Sequence, residues 1–208
     1  MKSSFLFKGG IILLVFGGIF WWFFSSSDQP IKNYPSTKSG PVLLFGDSLA
    51  AGEGATAGNT LGKQLGRLVG TDILNYGVPG DTTEDGLARL PRALAENPKV
   101  ALVLLGGNDF LKKIPREEVF QNLEKIVTVF QARGSIVMVL GVRSGIIGGG
   151  ADEEYESLAK RTGAVYVEDV LSGVFAHADL MSDAIHPNDL GYSKIAERIA
   201  PLLTKYLH

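Results

Sequence analysis

Five short aliphatic runs recur along the chain: Val42–Phe45, Ile73–Tyr76, Val100–Leu105, Ile136–Leu140 and Val165–Val167. Each is nearly all apolar and is bounded by Gly, Pro, Asn or Asp. A strand with no polar alternation must be covered on both faces, the condition inside a parallel sheet. The intervals between the runs carry helical patterning, at Thr60–Val69, Thr83–Ala95, Arg116–Arg133, Asp152–Thr162 and Ser193–Tyr206. In the third interval Pro115 suits a helix start, Val119, Leu123, Ile126, Val127 and Phe130 line one face, and Gly134 ends the pattern. Pro91 and Pro201 are blemishes in their helices. Strands alternating with helices predict an α/β fold, a three-layer α/β/α sandwich with right-handed crossovers.

The chain of 208 residues, 45% hydrophobic, is long enough for one domain with a sizeable core. Its net charge of −2 is unevenly placed. Residues 1–40 hold four lysines and one aspartate, +3, which leaves 16 basic and 21 acidic side chains, −5, in the remainder. An acidic globular part has no electrostatic footprint for nucleic acid. With no cysteine there is no disulfide, thiolate nucleophile, acylated cysteine or cysteine-based zinc site.

Phe5–Phe24 is apolar apart from Lys8 and a few glycines, and twenty helical residues reach roughly 30 Å, one hydrocarbon core. Lys2 and Lys8 precede the uninterrupted part, so the N-terminus is expected to stay cytoplasmic and the rest to be exported. Trp21 and Trp22 fall where an interfacial aromatic belt belongs. The expectation is a single-pass anchor over residues 1–24, a polar tether over 25–40 and a globular domain over 41–208. Secretion after signal cleavage is the alternative, although bulky aromatics precede Ser25 and no A-x-A pattern is present.

In a parallel sheet the loops after the carboxyl ends of the strands form the working edge. The first strand leads into Gly46-Asp47-Ser48-Leu49, which exposes a hydroxyl at a strand-to-helix turn. Ala50 excludes the G-x-S-x-G elbow. The second leads into Gly77-Val78-Pro79-Gly80-Asp81, where Gly80 can bring a bare N–H to a reacting carbonyl. The third ends in Gly106-Gly107-Asn108-Asp109, and the Asn108 amide is a neutral donor suited to an oxyanion. Near the C-terminus lies Ser182-Asp183-Ala184-Ile185-His186-Pro187. Its spacing lets one tight loop aim a carboxylate and an imidazole at the same point, with Asp183 orienting His186 as a base. Alone, each has an ordinary explanation: an N-cap serine, a turn glycine, a turn asparagine, a surface ion pair. His177 and His208, the other histidines, have no such motif around them.

Taken in order from Val42 to the C-terminus, these four blocks resemble the SGNH (GDSL-type) hydrolase superfamily. The stretch Asn75–Leu94, with Gly80-Asp81-Thr82-Thr83 and Gly86-Leu87-Ala88-Arg89-Leu90-Pro91, resembles its bacterial arylesterase and thioesterase/lysophospholipase branch. The resemblance implies a flavodoxin-like, five-stranded parallel sheet and a serine ester hydrolase. It implies Ser48 as nucleophile, Asp183 and His186 completing the triad, and an oxyanion hole from the Ser48 N–H, the Gly80 N–H and the Asn108 amide. The chemistry calls for no metal or organic cofactor. The expected partners are a small-molecule or lipid ester and, through the N-terminal helix, a membrane. Glu53-Gly54 stands where branch members often carry an aromatic residue, and Arg143–Ala151 is shorter and more glycine-rich than a substrate-covering loop. An O-acetyl esterase or acyltransferase on envelope glycans and a non-catalytic tethered binding module are the competing readings.

Overall fold

The computed structural model describes residues 30–142, 150–175 and 177–207. The expected N-terminal helix and most of the segment 143–151 lie outside the described residues. Among the described residues no helix is long and apolar enough to cross a membrane.

The five strands are β1 (Val42–Gly46), β2 (Ile73–Gly77), β3 (Val100–Leu104), β4 (Ile136–Leu140) and β5 (Val165–Val167). All pair in parallel, in the order β2-β1-β3-β4-β5. The helices are α1 (Ser48–Ala51), α2 (Leu61–Val69), α3 (Thr83–Ala95), α4 (Gly107–Leu111), α5 (Arg116–Ala132), α6 (Asp152–Thr162) and α7 (Asp189–Leu207), with a short 3₁₀ turn at Ala178–Leu180.

Alternate residues of each strand feed opposite cores, as the pleat requires. Leu44, Leu102, Met138 and Leu140 meet Leu61 and Leu65 of α2 and Ile195, Ile199 and Leu203 of α7. Leu43, Phe45, Val103 and Val139 meet Leu90 of α3, Leu123, Ile126 and Phe130 of α5, and Tyr155 and Leu158 of α6. β1, β3 and β4 are buried along their whole length, whereas the edge strand β2 is only partly covered. This is the three-layer α/β/α sandwich expected from the chain's pattern.

Three details depart from expectation. The helices α1 and α4, of four and five residues, had no periodic signal because neither completes two turns. α7 begins at Asp189, four residues earlier than the pattern predicts, because the Asn188 side chain accepts from Leu190 N and Gly191 N and so caps it. Residues 31–40, expected as a tether, are docked. Lys32 N donates to Gly163 O, the Asn33 amide donates to Gln131 O and Ser135 O, and Tyr34 packs edge-on to Tyr206. One backbone bond, one side-chain amide and one aromatic ring thus tie down a stretch of polar composition.

Candidate active site

β1 delivers Ser48 to the carboxyl edge. Asp47 caps α1, its carboxylate accepting from Leu49 N at 3.0 Å, so the hydroxyl of Ser48 sits at the first turn. Ser48 keeps 9% of its surface exposed, enough for a reactant to reach it. Its Oγ lies 3.1 Å from Nε2 of His186. The other ring nitrogen, Nδ1, lies 2.8 Å from Oδ2 of Asp183. With the proton on Nδ1, as the carboxylate demands, Nε2 presents its lone pair to the serine hydroxyl.

The loop that carries this pair is tied to itself. Asp183 Oδ1 accepts from Ile185 N at 2.7 Å and His186 N at 2.8 Å. These bonds, led by the one from the imidazole, hold the Asp183 carboxyl down at about 2. Ser182 N donates to His186 O, and Met181 bridges Pro187, so Asp183 and His186 sit on a closed turn. Gly54 packs behind that turn with φ +87°. A Cβ there would stand 2.6 Å from Pro187 O and 3.1 Å from the His186 Cβ. Glycine at 54 lets the 52–60 loop close against the histidine. Tyr192 donates its hydroxyl to Glu53 O, and the Asp189 carboxylate accepts from Thr56 N, Thr56 Oγ1 and Asn59.

The amide nitrogen of Asn108, in the first turn of α4, donates to Asp81 O at 2.9 Å and lies 3.4 Å from Asp47 Oδ2. The second contact is long for a hydrogen bond, so that N–H is weakly held. Gly80, at φ +85°, turns the chain just before Asp81. The geometry thus brings together Ser48, His186 and Asp183 directly, and ties Asn108 to the residue after Gly80. His177 merely precedes the 3₁₀ turn and is exposed.

Two residues that sequence reasoning did not single out support these loops. Asp109 is buried, and its carboxylate accepts from Thr83 N and, at 2.6 Å, from Thr83 Oγ1, which pins the start of α3 to α4. Burial raises its carboxyl against the pull of those bonds. Arg89 spreads its guanidinium over Gly46 O and Tyr76 O at the ends of β1 and β2 and over the Asp81 carboxylate in the loop beyond. An arginine four positions after an aspartate on a helix reads as a solvated face, and only the arrangement around the sheet edge shows otherwise. Asp47 too is almost wholly buried. Desolvation lifts its carboxyl to about 7, with Asp109 and Asp81 adding to the rise and the bond from Leu49 N opposing it.

The model of the GDSL-like lipase/acylhydrolase family matches residues 44–194. The chain belongs to that family. This makes it a carboxylic ester hydrolase. The hydrolase is 30% identical over 184 residues to an arylesterase of Vibrio mimicus, covering 83% of this chain and 92% of the relative. It is also 30% identical over 171 residues to thioesterase 1/protease 1/lysophospholipase L1 of Escherichia coli strain K12, covering 78% and 82%. Among solved structures, a crystal structure of TesA superposes with a TM-score of 0.74 at 29% identity, over 80% of this hydrolase and 99% of that chain.

Proposed function

We propose that this hydrolase cleaves carboxylic esters through an acyl-enzyme on Ser48. His186 Nε2 takes the hydroxyl proton as Oγ attacks the carbonyl, and Asp183 stabilises the imidazolium that forms. The oxyanion of the tetrahedral intermediate is received by the Ser48 N–H, the Gly80 N–H and the Asn108 amide. Collapse expels the alcohol or thiol, which takes the proton back from His186. Water, deprotonated by the same nitrogen, then releases the acid and restores Ser48.

The observation that carries this reading is the continuous chain from Ser48 Oγ to His186 Nε2 at 3.1 Å and from His186 Nδ1 to Asp183 at 2.8 Å, linking residues far apart in sequence. The substrate class is aryl and short-to-medium acyl esters, lysophospholipids or thioesters, in line with the names of the relatives. The apolar segment Phe5–Phe24 anchors the chain in a membrane, with the hydrolase domain on the extracytoplasmic side, where lipid esters are within reach.

Fluorophosphonate labelling tests the chemistry. The wild type should carry the label on the peptide containing Ser48, and Ser48→Ala should carry none. A label elsewhere, or an unlabelled but folded wild type, overturns the assignment. Alkaline-carbonate extraction of membranes tests the anchor: the chain should stay in the pellet, and a soluble product lacking residues 1–24 would establish cleavage instead.

A further inference from the structure

Arg89 stands in α3, on the flank of the sheet edge, and each nitrogen of its guanidinium donates a hydrogen bond. Nε donates to the Asp81 carboxylate, Nη1 to Tyr76 O at 2.8 Å and Nη2 to Gly46 O at 2.8 Å. The guanidinium carbon lies 4.2 Å over the ring centre of Phe45. Phe45 and Tyr76 are register partners, as are Gly46 and Gly77, so the two carbonyls belong to the last rungs of the β1–β2 ladder. The fork ties strand to strand where the ladder runs out.

The positions it touches bracket the donors assigned above. Gly46 stands two residues before Ser48, and its carbonyl also accepts from Val78 N at 2.9 Å. Asp81 follows Gly80 directly, and the Asp81 carbonyl accepts from the Asn108 amide. One side chain therefore reaches the segment before the first donor, the residue after the second and, through Asp81, the third.

We infer that Arg89 is a positioning residue for the oxyanion hole, holding the Ser48 N–H, the Gly80 N–H and the Asn108 amide at their mutual separations through Gly46, Tyr76 and Asp81. The inference rests on the oxyanion-hole assignment proposed above. Arg89 itself touches none of the reacting atoms; it acts through the loops. A planar fork with donors in fixed directions can make all three contacts at once, which a lysine ammonium on a flexible stem cannot. Misplacement of a catalytic donor by about 1 Å costs on the order of 10²-fold in rate. The expected consequence is a loss in kcat with substrate binding spared.

The test compares Arg89→Lys, Arg89→Ala and Asp81→Asn with the wild type, by steady-state kinetics on a p-nitrophenyl ester, fluorophosphonate labelling rate and thermal unfolding. Arg89→Ala should lower kcat by about 10²-fold and Arg89→Lys by about 10-fold, with KM moved less than about threefold. Labelling should slow in parallel. In an Asn108→Ala background, Arg89→Lys should cost clearly less than it does in the wild type, because one of the donors it positions is already gone. A merely structural role would lower the unfolding temperature and leave the kcat of the folded fraction intact. If Arg89→Ala fails to fold, Arg89→Lys and Asp81→Asn carry the test. Folded Arg89→Lys enzyme with wild-type kcat, or losses strictly multiplicative with Asn108→Ala, overturns the positioning role. A wild type that labels at Ser48 beside Arg89 variants that label equally fast sinks this inference alone. A folded wild type that does not label sinks the reading of the site beneath it.

Discussion

The two halves of the candidate site are built in opposite ways. On the Ser48 side, Asn108 and Asp109 are held by partners 26 or more residues away, Arg89 reaches backbone at two strand ends, and Asp47 and Asp109 are almost wholly buried. On the His186 side, the carboxylate and the imidazole are three residues apart on one turn, and the Asp183 side chain is 55% exposed. The first half borrows its rigidity from the sheet. The second makes its own from local hydrogen bonds and leans on the 52–60 loop through Gly54. Damage to the first half should therefore be felt in turnover and folding together, and damage to the second mainly in turnover.

Ser48→Ala and His186→Ala should break the comparison most sharply, each lowering kcat by about 10⁶-fold while leaving the unfolding temperature unchanged. Asp183→Asn should follow at about 10⁴-fold, because an amide favours the wrong imidazole tautomer. Its own carboxyl, held at about 2, stays charged at every pH of ordinary assay. Asp183 should thus add no step to a pH–rate profile of kcat/KM anywhere above its own low titration, and the wild-type profile checks this. Asn108→Ala should cost about 10²–10³ in kcat. Because that side chain bridges two loops, it should also lower stability measurably, and urea denaturation of Asn108→Ala beside the wild type checks this.

Gly54→Ala probes the contact between the halves. A methyl group at φ +87°, 2.6 Å from Pro187 O, should cost about 1–3 kcal/mol in stability, read from denaturant midpoints. It should also displace the histidine turn, so kcat falls more than KM rises. The smallest effect on turnover belongs to Asp47→Asn, whose readout is stability against pH. A carboxyl raised to about 7 in the folded chain, against 3.8 when unfolded, favours folding fully below pH 4. That contribution is lost as pH rises through 7. Asn keeps an acceptor for Leu49 N without a charge to bury, so the variant's unfolding temperature should decline less than the wild type's between pH 4 and 7. Parallel curves for the two proteins would show that the buried carboxyl is not the cause.

Much of the scaffold was legible locally. β4, β5, α3 and α6 begin and end where residue patterning alone put them, because each is long or apolar enough to declare its period. The tolerated prolines, Pro91 and Pro201, lie inside helices whose apolar faces are buried, so packing outweighs the lost backbone bonds. The first turn of α7 carries no helical signal in the sequence, since Pro187, Asn188 and Gly191 look like breakers and only the side-chain bonds of Asn188 turn them into a cap. The docked residues 31–40 were illegible because Asn33 and Tyr34 find partners about a hundred residues or more onward.

Sequence by itself determined the alternation of strands and helices, the family, and which residue types stand at each strand end. Those follow from periodicity and short motifs, which are properties of neighbours along the chain. Tertiary structure alone decided that Ser48 lies within 3.1 Å of His186 across 138 residues, and that Arg89 and Asp109 face inward rather than to solvent. Such facts depend on strand order and register, which bring distant carbonyls and carboxylates to one edge. A helical charge carries the same local signal whether water or a strand end receives it.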